Sequence, residues 1–180
     1  MGDDARASIR SPQFRAVLLA VLVVTTLASA ALLGWAVISR DESDDEQATR
    51  EEVMSVGEQF MRRKETFGPD LLDDQKSLTE YRSRMTELIT PKLETDFDEQ
   101  TRSLEQLVAQ GGLESATDVY STAVTSLDAD SAEVLVVGDT TFKYAKGQAQ
   151  TAPFRYQLSL VLTGGEWLVD GFEPASAVQQ

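Results

Sequence analysis

The sequence predicts an α+β protein, in which a single N-terminal transmembrane helix is followed by a domain of helices packed on a curved antiparallel sheet. Three observations lead to this prediction. No charged residue occurs in residues 16–38. Apolar side chains recur at helical spacing in residues 43–112, and apolar and polar side chains alternate in residues 113–172, as they do in strands. Because the helices precede the strands instead of alternating with them, the pattern favours α+β over α/β.

The uncharged run AVLLAVLVVTTLASAALLGWAVI occupies 23 positions, residues 16–38. As a helix it would reach about 35 Å, which exceeds the bilayer's hydrocarbon core of about 30 Å. Ala28 and Ala30 match the A-x-A pattern of a cleavage site, so a cleaved signal peptide is the alternative. The apolar run continues past Ala30 to Ile38, whereas the apolar region of a signal peptide spans only about 7–15 residues. We therefore predict an uncleaved signal-anchor.

The charges around this span predict its orientation. Three arginines precede it, whereas one arginine and an acidic run, residues 41–46, follow it. Basic residues are retained on the cytoplasmic side of a membrane. The expected arrangement is a cytoplasmic tail at residues 1–15 and an extracytoplasmic domain at residues 39–180, in a single-pass protein of the plasma membrane.

The composition of the domain excludes several functions. Residues 41–180 carry 28 Asp and Glu against 12 Lys and Arg, a net charge of −16, which disfavours binding to nucleic acid. The chain has no Cys and no His, so thiolate zinc sites, Cys nucleophiles and a His general base are impossible. We predict no catalytic residue, no cofactor and no metal ligand, and therefore not an enzyme.

Three helices are expected after the span. The first two begin at capping boxes, residues 43–46 and residues 77–80, and the third begins with Thr90 as cap and Pro91 at the first helical position. The third helix should end at the glycine pair 111–112. Their apolar faces comprise Val53, Val56, Phe60 and Met61; Leu78, Tyr81, Met85, Leu88 and Ile89; and Leu93, Phe97, Leu104, Leu107 and Val108.

Four antiparallel strands are expected next. Their predicted ranges are 118–127, 132–144, 154–162 and 166–172. Gly164 and Gly165 form a two-residue hairpin signal that fixes the last register. The predicted pairs are Thr163 with Glu166, Leu162 with Trp167, Leu160 with Val169, and Leu158 with Gly171. The apolar members of these pairs should share the inner face of the sheet.

Four aromatic residues are candidates for the lining of an apolar cavity between helices and sheet. They are Tyr81, Phe97, Tyr156 and Trp167. A curved sheet closed by helices can leave a cone-shaped cavity that holds a ligand. The alternative is that these side chains pack in the core, as their helical and strand spacing allows.

Two stretches resemble a known family. Residues Tyr81 to Thr90, with Leu93 and Phe97 beyond them, and residues Gly165 to Phe172 are similar to the Mce-associated membrane proteins of actinobacteria. That resemblance implies an NTF2-like extracytoplasmic domain. It also implies a non-catalytic accessory or stabilising subunit of an Mce-type lipid import system in the cell envelope, with Mce-type transporter subunits and a lipid as partners.

Two other classes share this layout. One is a VirB8-like scaffold subunit of a type IV secretion system, which also combines a short tail, one span and an NTF2-like domain. The other is an NTF2-like small-molecule-binding domain or enzyme. Enzymatic NTF2-like relatives usually carry an Asp/His or Tyr/Asp pair in the cone, and the absence of His makes the first pair impossible here. The resemblance therefore assigns a catalytic role to no residue of this sequence.

Overall fold

A computed structural model of the chain describes residues 45–175. The architecture below is that of the unit Ala48–Gln180, whose first helix begins at residue 45. No helix within residues 45–175 is both long and apolar enough to cross a membrane. The predicted cytoplasmic tail and signal-anchor, residues 1–15 and 16–38, lie outside the described residues.

Three α-helices precede the sheet. Helix α1 covers residues 45–65, α2 is Thr79–Thr86 and α3 is Pro91–Gly111. A short 3-10 helix, Pro69–Leu71, lies between α1 and α2. The helices therefore occupy the first half of the described chain, as predicted.

Helix α1 lies close against the middle of the sheet. Its buried residues Val53, Phe60 and Met61 recur at the spacing of one helical face. Gly57 lies on the same face, where a Cβ atom would come within 3.0 Å of Val134 and 3.3 Å of Leu158. The missing side chain at this position allows the helix to approach two central strands.

The start of α2 differs from the prediction. The predicted capping box at residues 77–80 does not form, because the helix begins at Thr79 and its N-cap, Leu78, makes no side-chain cap bond. Asp73 instead accepts hydrogen bonds from the Ser77 amide at 2.9 Å and the Thr79 hydroxyl at 2.7 Å. The Leu78 amide donates to the Glu105 carboxylate of α3 at 2.8 Å. A loop carboxylate and a tertiary contact thus replace the local cap.

The end of α2 also differs, whereas the limits of α3 are confirmed. Helix α2 stops at Thr86, and Ile89 lies in a parallel bridge with Val169 of the sheet. In α3, the Thr90 hydroxyl accepts the Leu93 amide with Pro at the helix start. The helix ends in the left-handed conformation at Gly112, with φ of 59°.

Four strands form one antiparallel sheet in the order β1-β2-β3-β4. They are β1 Glu114–Leu127, β2 Ser131–Lys143, β3 Gln150–Thr163 and β4 Glu166–Pro174. Each predicted strand is present. Strand β1 starts four residues earlier than predicted, because Ser115 exchanges two main-chain hydrogen bonds with Phe67 after α1.

The β3–β4 hairpin confirms most of the predicted register. Thr163 pairs with Glu166, Leu162 with Trp167 and Leu160 with Val169, and both turn glycines have positive φ. The fourth predicted pair, Leu158 with Gly171, is wrong. Ser159 pairs with Gly171 and Leu158 with Phe172, because Asp170 is an extra residue in β4.

The core lies between the helices and one face of the sheet. The predicted inner face is buried at all but one position: Trp167 is 4% exposed, whereas Leu162, beside the turn, is 38% exposed. The sheet residues with at most 1% exposure are Val134, Val136, Leu158, Leu160 and Val169.

Candidate functional site

The four predicted cavity residues fall into separate places. Tyr81 of α2 and Phe97 of α3 lie together, with ring centroids 5.5 Å apart. Tyr156 of β3 instead contacts Phe172 of β4, with centroids 6.0 Å apart. Trp167 is buried in the sheet core. The structure therefore brings together one pair of the four candidates.

Tyr81 and Phe97 line a pocket of about 200 Å³ on the helical side of the domain. We call it the helix-side pocket. It is bounded by the end of α1 and the segment after it, by α2, and by α3. Its lining consists of Lys64, Glu65, Phe67, Tyr81, Phe97, Gln100, Thr101 and Leu104. Neither Tyr156 nor Trp167 belongs to it.

Lys64 contacts both aromatic pairs, Tyr81 with Phe97 and Tyr156 with Phe172. Its ammonium pairs with Glu65 and lies 4.9 Å from the centroid of the Phe172 ring and 5.4 Å from that of Tyr156. Its carbonyl oxygen accepts a hydrogen bond from the Tyr81 hydroxyl at 2.8 Å. The sequence places Lys64 in a basic run that suits the end of a helix, and that local pattern gave no sign of its distant aromatic partners.

The Tyr81 hydroxyl remains protonated over the ordinary pH range. Burial raises the pKa of Tyr81, and the negative charge of Glu65 raises it further. Because the hydroxyl donates its proton to the carbonyl oxygen of Lys64, it acts as a structural donor. This arrangement is unsuited to a general base.

The two stretches that carry the family resemblance meet in the structure. The Leu88 carbonyl accepts the Val169 amide at 2.8 Å, and the Thr90 amide donates to the Val169 carbonyl at 3.0 Å. The Thr90 hydroxyl donates to Asp170 at 2.8 Å, and the Lys92 ammonium donates to the same carboxylate at 2.6 Å. These residues connect the loop between α2 and α3 to the edge strand of the sheet.

The Asp170 carboxylate is held in its charged form. Lys92 first, and the Thr90 hydroxyl second, lower the pKa of Asp170. No sequence pattern singled out this contact, because it joins residues 80 positions apart. Within residues 45–175, no group of three or more carboxylates is arranged to hold a metal ion.

No protein-family model matches the chain, and no curated protein matches it. Among solved structures, it is similar to TraH of the Gram-positive conjugative plasmid pIP501, with 10% identity and a TM-score of 0.49 over 72% of this chain and 96% of that one.

The association domain of C. elegans CaMKII is similar at 15% identity and a TM-score of 0.47, over 74% of this chain and 99% of that one. An NTF2-like protein involved in plasmid conjugation is similar at 14% identity and a TM-score of 0.44, over 72% of this chain and 50% of that one.

Proposed function

We propose that this chain is a non-catalytic, membrane-anchored accessory subunit that stabilises an Mce-type lipid import system through an NTF2-like domain outside the cytoplasm. The observation that supports this proposal best is the contact between the two stretches that resemble the Mce-associated proteins. They pair through Leu88–Thr90 and Val169–Asp170, so the residues behind the resemblance build the scaffold of the domain.

The packed interior favours a function carried by the surface. The space between the helices and the sheet is filled by side chains with 0–1% exposure from both layers, including Phe60, Met85, Leu158 and Val169. An interior packed in this way resists deformation, and the groups that can contact other subunits lie at the outside. Binding to other subunits fits this construction.

The charge of the domain suggests the chemistry of its partner. With a net charge of −16 over residues 41–180, the domain should be attracted to a basic surface. Such a contact weakens with salt, because exposed charges are screened within about 8 Å at physiological ionic strength. The membrane tether confines the domain beside its partners and raises their effective concentration.

The test is a pull-down of the full-length protein from membranes at low and at high salt. A matched variant replaces residues 16–38 with a cleavable signal peptide, which removes the tether and leaves the domain unchanged. We expect recovery of lipid-transport subunits that falls with salt and falls again without the tether. Recovery of type IV secretion subunits would instead support the VirB8-like alternative, and recovery of no subunit at either salt would contradict both.

A further inference from the structure

We propose that the helix-side pocket receives the guanidinium group of an arginine on a basic partner protein. This inference rests on the proposed accessory function, because it assigns the point at which the partner docks. The residues that line the pocket come from the three helices and from the segment after α1. The pocket lies at the edge of the core, because Tyr81 and Phe97 are core side chains that are 3% and 5% exposed.

Three aromatic rings shape the pocket. The rings of Phe67 and Tyr81 meet edge to face with centroids 6.1 Å apart, and Tyr81 and Phe97 follow at 5.5 Å. Leu104 adds an apolar wall. Aromatic faces attract cations, and the flat guanidinium of arginine stacks on them while its aliphatic stem covers apolar surface.

Glu65 supplies the carboxylate that a guanidinium needs. Its side chain is 18% exposed and lies in the lining, so it is accessible from the pocket. Glu65 is already paired with Lys64, but the Lys64 ammonium also lies over the rings of Phe172 and Tyr156. Lys64 thus keeps favourable partners when the carboxylate is shared with an incoming cation.

The charge of the domain also favours a cation over an anion. The charged groups that line the pocket are Lys64 and Glu65, which pair with each other. An anionic ligand would meet the net charge of −16 over residues 41–180.

The size and chemistry of the pocket favour arginine over lysine. A volume of about 200 Å³ accommodates one long side chain, not a whole peptide segment. The lysine ammonium is strongly hydrated and cannot stack, whereas arginine can stack and bind a carboxylate through two N–H groups. A partner arginine therefore uses the rings and Glu65 at once.

The experiment uses the full chain, in an uncharged detergent, with fluorotyrosine at its four tyrosines. A blocked Gly-Arg-Gly peptide is titrated while the fluorine spectrum is recorded. We expect a saturable shift of the Tyr81 resonance, whereas the exposed Tyr120 and Tyr144 serve as internal controls. The blocked peptide with citrulline, which has the same shape and no charge, should bind at least about tenfold more weakly, because a charge-assisted hydrogen bond is lost.

Two variants locate the binding. Glu65→Gln should weaken the binding of the arginine peptide by a similar factor. Glu166→Gln, which removes the same charge at the β3–β4 turn, should leave the affinity for the peptide unchanged. If Glu65→Gln fails to fold, the comparison of arginine with citrulline on the unaltered chain still decides the matter.

Equal binding of the arginine and citrulline peptides, or no shift at Tyr81, would overturn the proposal. Tighter binding of free arginine than of the blocked peptide would also overturn it, since the pocket would then serve a small molecule. These titrations contain no transport subunit. A negative titration would therefore contradict the arginine site but not the accessory function. A negative pull-down would contradict the accessory function but not the result of the titrations.

Discussion

Asp170 contributes both to the shape of strand β4 and to the contact between β4 and the start of α3. It is the extra residue of the bulge in β4, and a bulge turns its side chain away from the regular alternation. In this position the carboxylate accepts hydrogen bonds from Thr90 and Lys92, on the segment that begins α3. The bulge is thus the means by which the sheet edge binds the helical layer.

Asp170→Asn should lower the free energy of unfolding at pH 7 by about 1–2 kcal/mol, since charge-assisted hydrogen bonds are lost. The folded state lowers the pKa of Asp170, so its contribution is fully present above the ordinary Asp pKa of about 3.9 and is lost as the pH falls through the lowered value. The difference between the two chains should therefore shrink at acidic pH. Urea unfolding of residues 45–180, followed by Trp167 fluorescence, measures it.

Glu173→Gln is the control for this prediction, because it removes an exposed carboxylate from the same strand. It should change stability by less than about 0.5 kcal/mol, as is usual for surface substitutions. An equal loss in both variants, or a loss in Asp170→Asn that stays constant down to pH 2, would contradict the assigned hydrogen bonds.

Only part of the helix-side pocket could be predicted from sequence. Tyr81 and Phe97 follow helical spacing, so a shared apolar site was a reasonable expectation, and they do lie together. Lys64 and Glu65 could not be found in this way, because their surroundings depend on how three helices and a loop meet. Spacing along one helix predicts which face is apolar, but it does not predict which polar groups border that face.

At the scale of elements, the β3–β4 hairpin was predictable because two local signals agree. The glycine pair sets the turn, and alternation sets the faces, so the register is correct from Thr163 to Leu160. The early end of α2 and the bulge at Asp170 were not predictable. Both lie next to one tertiary contact, the bridge between Ile89 and Val169, which local propensity does not include.

Trp167 tests the inner face of this hairpin. Trp167→Ala removes a side chain that is 4% exposed, and it should cost about 3–5 kcal/mol of unfolding free energy. Leu162→Ala removes its cross-strand partner, which is 38% exposed, and should cost less than about 1.5 kcal/mol since little apolar area is lost. Circular dichroism during urea unfolding measures both, and a loss below about 1.5 kcal/mol for Trp167→Ala would show that the inner face is assigned wrongly.

Gly138 tests the packing of β2 between its neighbours. A Cβ atom at this position would collide with the carbonyl oxygen of Asp118 and lie 2.7 Å from the Phe154 ring. Gly138→Ala should therefore destabilise the domain by about 1–3 kcal/mol through overpacking. Gly171→Ala, where nothing lies within 4 Å, is the matched control and should change thermal stability little. A neutral Gly138→Ala would mean that the sheet can open at this point without cost.

At the scale of the whole molecule, charge is divided along the chain. Residues 41–180 hold almost all of the acidic groups, whereas the first 15 residues carry three arginines against two aspartates. A large like charge keeps a domain soluble and separate from others of its kind. We infer that the same division directs the acidic domain away from the cytoplasm, because basic residues beside a span are retained inside.

We propose that residues 16–38 cross the plasma membrane once, with the N-terminus in the cytoplasm. An enzyme reporter that is active only outside the cytoplasm, fused after Gln180, should then be active. The matched variant replaces Arg6, Arg10 and Arg15 with Gln, and it should shift a part of the fusion to the opposite orientation, since the charge difference across the span is removed. An inactive reporter on the unaltered full-length fusion would contradict this orientation, and activity from a shortened product that has lost residues 16–38 would rule out the uncleaved signal-anchor.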